Sequence, residues 1–305
     1  MSKLLARIVI FALPILGFLG YLEHALRAFP NNWTVKRAAL ERVLNDTEVL
    51  ITGSSHSFYG IRPSLLSPHT FSLAYTAQDL YYDTRLTLKY LDRMPKLGTV
   101  VIPVSYASLE YSVDDSSEQR YAEAFYYHVY RIPEEGRLPT LAHYSLIALY
   151  GPHYARKLMR SSVGFSSDVG EDGGCRDERA TDSSGTAETQ VVLARHHSVM
   201  SPHTAVGNLR YIEELLAALR ARGIRAVFVT TPVSRAYHAG IRPVSYRRMQ
   251  DAVAGFCVRY GLQYFDHMQD LRFSEADFMD PDHLDTLGAM KFTRIIRSEI
   301  FGGAP

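Results

Sequence analysis

Residues 48–56 read Glu-Val-Leu-Ile-Thr-Gly-Ser-Ser-His. Glu48–Thr52, with Val49, Leu50 and Ile51 apolar, predicts a short strand closed by Gly53. Gly53 then permits a tight turn, and Ser54-Ser55 stand where a helix would begin. Strand, glycine turn and helix start together predict a βα unit of a parallel sheet. The same alternation recurs downstream. Phe71–Ala74 reads as a second strand, residues 77–91 as a helix with Leu80, Leu86, Leu88 and Leu91 apolar, and Thr99–Val104 as a buried strand interrupted by Pro103. After residue 204, the spacing of Val206, Leu209, Ile212, Leu215, Leu216 and Leu219 predicts a helix ended by Gly223. Ala226–Thr230 and Gln263–Asp266 follow as strands, with helices over 246–260 and 287–300. Upstream, 33–45 reads as a short amphipathic helix. The expected body is α/β, a mainly parallel sheet with helices on both faces, and ligands in such sheets sit outside the carboxyl ends of the strands.

The regular pattern loosens between about 108 and 200, which reads as a partly helical insertion (121–130 and 141–149). Residues 161–190 are rich in Ser, Gly, Asp and Thr and read as a flexible loop. At the other end, Leu4–Leu22 is apolar except for Arg7, long enough to cross a bilayer as a helix. Lys3 and Arg7 near its start favour a cytoplasmic amino terminus and an exported body. A cleaved signal peptide is the alternative, though Leu26-Arg27-Ala28 makes a poor cleavage site. The expected organisation is an anchor over 1–28 and an α/β domain over 29–300.

Composition narrows the function classes. Apolar residues make up 47% of the 305, and 33 basic residues nearly balance 32 acidic ones for a net charge of +1. No basic excess favours nucleic acid. A mean hydropathy of −0.10 excludes a polytopic membrane protein but not one anchor. Neither Cys175 nor Cys257 has metal-ligand spacing to another cysteine. Cys175, in a Gly/Asp-rich stretch, reads as an exposed loop thiol and Cys257, in an apolar helical pattern, as an isolated buried one, with a bridge between them as the less favoured alternative.

Two motifs can carry chemistry. A serine at a strand end is a nucleophile only if a base reaches it; otherwise it caps a helix. Near the carboxyl terminus, Asp280-Pro281-Asp282-His283 precedes the last helix, and the two-residue gap lets the Asp280 carboxylate orient one imidazole nitrogen while the other faces outward. A metal site from Asp280, Asp282 and His283 is the weaker alternative. His56 reads as a rim group pointing away from its neighbour, and His196-His197 as solvated. Arg235 and Tyr237 are candidate contacts for an anionic or sugar substrate.

The pairing of an early Gly-x-Ser with a late Asp-x-x-His resembles the first and fifth sequence blocks of the SGNH/GDSL hydrolase superfamily, over residues 46–300. More narrowly, Ile51–Ser57 and Asp280–Leu284 look like a membrane-anchored exported branch. That branch includes the SGNH-like proteins that work beside membrane-bound O-acyltransferases in alginate acetylation and teichoic-acid D-alanylation. The resemblance implies a three-layer flavodoxin-like fold and a triad of Ser55 nucleophile, His283 base and Asp280 orienter. It implies no cofactor or metal, an envelope or secreted polysaccharide as substrate, an O-acyltransferase as partner, and a periplasmic site on the bacterial inner membrane. Superfamily members place a glycine after the second strand and an asparagine after the third as oxyanion donors. Here Tyr75-Thr76-Ala77-Gln78-Asp79 and Ser105-Tyr106-Ala107-Ser108 stand at those places. The expected donors are therefore the Ser55 N–H with Gln78 or Ser105, and Ser54 fills the position usually held by aspartate. A non-catalytic protein that kept the fold to bind glycan or a membrane partner is the competing reading.

Overall fold

The computed structural model describes residues 2–113, 120–133, 138–151, 165–176 and 186–302. It divides into two compact units, one formed by residues 1–35 with 121–167 and the other by 36–120 with 168–305.

In the first unit, α1 (Ser2–Ala28) is followed by the start of α2 (Asn32–Val43). Within this unit, Trp33 stacks on Phe125 with ring centroids 6.1 Å apart and meets Tyr126 edge-on at 4.5 Å.

The second unit is built on five parallel strands: β1 (Val49–Ile51), β2 (Thr70–Ser72), β3 (Thr99–Pro103), β4 (Arg225–Thr230) and β5 (Gln263–Asp266). Their spatial order is β2-β1-β3-β4-β5, so the chain reverses its direction of travel across the sheet between β1 and β3. That is the crevice where doubly wound sheets bind ligands. Helix α3 (Ser55–Gly60) leaves β1, α4 (Pro63–Leu66) leads to β2, and α5 (Leu80–Leu91) joins β2 to β3.

Between β3 and β4 lie α6 (Arg120–Phe125), which runs into a π-helical turn at Tyr126–Tyr130, α7 (Leu141–Tyr144), α8 (Thr186–Val199) and α9 (Thr204–Ala221). After β4 come α10 (Arg235–Gly240) and α11 (Pro243–Tyr260). A two-stranded hairpin, β6 (Phe278–Asp280) with β7 (His283–Leu284), precedes the last helix, α12 (Thr286–Phe301).

Strand side chains alternate between two buried faces. Val49, Ile51, Val101, Val227 and Val229 pack under α12 through Phe292, Ile295 and Ile296. On the opposite face Phe228 meets Phe256 of α11 at 6.3 Å, and Thr84 of α5 donates to the Tyr211 carbonyl of α9 at 3.1 Å. The result is the expected three-layer α/β/α arrangement.

Several local expectations change. Helix α5 begins at Leu80, not residue 77, because Asp79 caps it by accepting from the Tyr82 N–H at 3.0 Å. The described part of the Gly- and Ser-rich stretch is not a free loop. Asp172 O accepts the Ser72 N–H at 2.9 Å, so residues 169–175 cover the outer edge of β2. Residues 161–164 and 177–185 lie outside the described residues, and 186–190 are helical. That cover buries Cys175, which the sequence placed in an exposed loop, while Cys257, expected to be buried, is partly exposed on α11; both are free thiols and no bridge joins them. Beneath the cover lies Lys36, fully buried. Its ammonium donates to the Ala74 and Gly173 carbonyls and stands 4.9 Å from the Phe58 ring centroid.

Candidate active site

The turn after β1 is fixed by one carboxylate. Gly53 has φ +111°, and its N–H donates to Asp83 Oδ1 at 2.8 Å. A Cβ at this glycine would lie 2.4 Å from Ser57 Oγ, so both conformation and space require glycine. Asp83 also accepts from the Gln78 amide at 2.6 Å. Burial pushes its carboxyl up to about 7, against the lowering effect of those two bonds. A charged residue on the otherwise buried face of α5 was the sequence signal for this support.

Ser54 occupies the N-cap position of α3, yet its side chain makes no capping bond. Ser55 is the first helical residue, and its Oγ lies 2.8 Å from His283 Nε2. On the far side of the ring, His283 Nδ1 lies 3.0 and 2.9 Å from the two Asp280 oxygens. Asp280 and His283 face each other across the β6–β7 ladder, not on a helical turn. The backbone N–H groups of Asp282 and His283 donate to Asp280 Oδ1 at 3.1 and 2.9 Å, so the carboxylate is held from its own hairpin. The Nδ1–Asp280 contact fixes the tautomer in which Nε2 accepts from a hydroxyl.

Asp282, which the sequence offered only within the weaker metal alternative, lies buried behind this line. Its side chain is 1% exposed, with Oδ2 3.1 Å from His56 Nε2 and 3.7 Å from His196 Nε2, and Oδ1 3.5 Å from His283 Nδ1. Burial would raise its carboxyl, but the surrounding imidazoles, His283 foremost, hold it well below the carboxylate range. Burial works to lower His283; the Asp282 and Asp280 carboxylates outweigh it and hold the imidazole above its ordinary 6.5.

His56 is therefore not a rim group turned away. Its ring meets that of His283 at 5.1 Å, and its Nδ1 is buried without a hydrogen-bond partner among the described residues. His196 is not solvated either. Its Nδ1 lies 2.6 Å from Tyr237 Oη, which in turn lies 3.2 Å from Tyr106 Oη. Burial lowers His196 to about 4. Tyr237, expected as a substrate contact, is fully buried within these hydrogen bonds, and Arg235 is exposed. Fold contacts between segments far apart in sequence create this network, so no spacing rule could have revealed it.

Ser54, Ser55, Gln78, Ser105, Asp280 and His283 all line one cavity of about 670 Å³, together with Tyr59, Tyr111 and Arg195. Gln78 gives its amide to Asp83, and the Ser105 N–H donates to Ser108 Oγ at 2.8 Å. Ala77, also in the wall, has φ +56°. It adopts the left-handed turn after β2 that a glycine would take without cost. Asn208 of α9 holds the loop after β3 by donating to the Leu109 and Tyr111 carbonyls at 2.9 Å each. Among the described residues, the group able to hold a metal ion is His56, Asp282 and His283, whose ligating atoms lie within 4.8 Å of one another. Asp280 is outside that group.

No family model matches the sequence, and no curated protein matches it. Two solved structures are similar over nearly the whole chain. One, described as "a putative acylhydrolase" from Bacteroides fragilis NCTC 9343, is 10% identical with a TM-score of 0.41, covering 92% of this chain and 95% of that one. The other, described as "a putative platelet activating factor" from Streptococcus pneumonia, is 8% identical with a TM-score of 0.41, covering 96% and 99%. Likeness at this level carries no inference about the site.

Proposed function

We propose that the chain carries out serine-dependent acyl-ester chemistry on a cell-envelope or secreted polysaccharide, held at the membrane by α1. The observation that carries this reading is the continuous line from Ser55 Oγ through the His283 ring to Asp280, at the switch point of a parallel sheet and open to a cavity.

In the proposed reaction Ser55 Oγ attacks an acyl carbonyl while His283 Nε2 takes its proton. Asp280 holds the imidazolium that forms. The C–O bond to the donor alcohol breaks, and His283 returns the proton to that leaving oxygen. A glycan hydroxyl then attacks the acyl-serine, giving its proton to His283, and the Ser55–acyl bond breaks with reprotonation of Ser55. Water in place of the glycan makes the protein an esterase. The Ser55 N–H is the first oxyanion donor, with Gln78 or Ser105 beside it. A membrane-bound O-acyltransferase supplying the acyl group fits the anchor, whose helix is long and apolar enough to cross a bilayer. Lys3 and Arg7 at its start favour placing the body on the periplasmic side.

The test uses full-length protein in detergent. A fluorophosphonate probe should label Ser55, and hydrolysis of a chromogenic acetyl ester should fall roughly 10³-fold or more in Ser55→Ala. Labelling unchanged by that substitution overturns the reading. Absence of labelling in a folded protein favours the non-catalytic glycan-binding reading, for which the engaged Ser105 N–H is the supporting observation.

A further inference from the structure

We propose that the segment 138–150 lies on the surface of the bilayer that α1 crosses, with lipid at headgroup depth as the partner of an exposed face formed by Leu138, Leu141 and Tyr144. The inference rests on the reading of α1 as a membrane span. It concerns a second, peripheral contact made by the first unit.

The apolar run of α1 ends at Leu22, and Glu23 is the first acidic residue after it. Nineteen residues from Leu4 rise about 28 Å along a helix, roughly the hydrocarbon thickness of a bilayer. Glu23 therefore falls at the membrane–water boundary. Its carboxylate accepts from Ser145 Oγ at 2.9 Å and from the Leu146 and Ile147 N–H groups at 3.1 and 3.2 Å. One turn on, Arg27 donates to the Tyr144 carbonyl at 2.6 Å. Apolar contacts complete the clamp: Leu26 and Leu146 are buried together, flanked by Leu22, Phe29, Ile147 and Tyr150. These bonds fix the segment beside the last turns of α1, at the depth where the span leaves the hydrocarbon.

At that depth the segment turns apolar groups outward. Leu138 is 90% exposed, Leu141 72% and Tyr144 57%. Single exposed leucines are ordinary on soluble surfaces, but three large groups within one short stretch are not scattered. On α1 itself the exposed Phe18 and Tyr21 stand just before the same boundary. Polar groups of the turn are satisfied locally: the Thr140 N–H donates to His143 Nδ1 at 2.9 Å, and His143 is buried. Tyr144 meets Tyr127 edge-on at 5.5 Å, an aromatic pair at the level where interfacial tyrosines concentrate. Satisfied polar groups beneath an aliphatic and aromatic face fit a lipid surface better than water.

Spin-label depth measurements on the full chain, reconstituted in phosphatidylcholine–phosphatidylglycerol vesicles, test this. Labels are placed singly at Leu141→Cys, at Leu16→Cys within α1 and at Val206→Cys on α9, in a Cys175→Ala, Cys257→Ala background. The Leu141 label should collide more with oxygen than with an aqueous nickel chelate, between the values for Leu16 and Val206. A lipid-like Leu16 with Leu141 matching Val206 overturns the proposal and leaves the span intact. Leu16 matching Val206 overturns the span and the proposal with it. A second readout keeps both cysteines: in a Trp33→Phe, Tyr144→Trp protein, bromine-bearing lipids should quench the fluorescence, and unquenched emission counts against the proposal.

Discussion

Ser55 Oγ and His283 Nε2 are 2.8 Å apart although 228 residues separate them in the chain. The contact exists because β1 and the β6–β7 hairpin share one core with α12, through Val49 and Ile51 on the strand and Phe278 and Leu284 on the hairpin. A hydroxyl and an imidazole at this distance have the spacing that a nucleophile and its base require.

Asp280→Asn should lower acetyl-ester turnover about 10²–10⁴-fold while leaving the fold intact, since an amide no longer fixes the Nδ1–H tautomer. Turnover and the far-ultraviolet circular dichroism spectrum, measured together, check this. Unchanged turnover would show that Asp282, at 3.5 Å from the same nitrogen, holds the ring instead.

In the proposed reaction His283 must be neutral to take the Ser55 proton, so the acidic limb of the pH profile should report this imidazole. Burial works to lower it, and the Asp282 and Asp280 carboxylates hold it above 6.5, with Arg195 working the other way. Asp282→Asn removes a charge that favours the imidazolium, so the inflection in kcat/KM should move to lower pH. An inflection that stays put or rises contradicts the electrostatics described here.

The turns at Gly53 and Ala77 make opposite demands. Gly53→Ala should cost about 1–3 kcal/mol, because φ +111° is strained for any residue with a Cβ. Ala77→Gly at φ +56° relieves a strain of about 1–2 kcal/mol, offset by the extra freedom of glycine in the unfolded chain. Thermal melts should therefore show a clear loss for the first and no loss for the second. A lower Tm in Ala77→Gly would be inconsistent with the strain.

Burial lowers Lys36 to about 7, against the charges of Asp172 and Cys175. The unfolded chain, with a lysine near 10.5, binds that proton more tightly, so stability should rise with pH between about 7 and 10.5. Denaturant midpoints across that window should climb for the native chain and flatten in Lys36→Met. Equal slopes in the two proteins would refute the assignment.

The strands and most helices of the α/β body are legible in the residue pattern, because short apolar runs bounded by turn residues have few other ways to bury themselves. The apolar run of α1, broken only by Arg7 and left exposed by the described fold, was equally legible, as were the residue types of the Ser55, Asp280 and His283 line. Tertiary structure alone decided the rest. Gly53 owes its position to Asp83 on a different helix. Asp282 gathers His56, His196 and His283 from three segments, so no local spacing records it. The edge of β2 is covered by a Gly-rich stretch whose composition reads as a loop, since a strand's unpaired N–H can be met by any backbone carbonyl that reaches it. Local pattern reports which groups prefer burial, whereas a site depends on which distant groups are buried together.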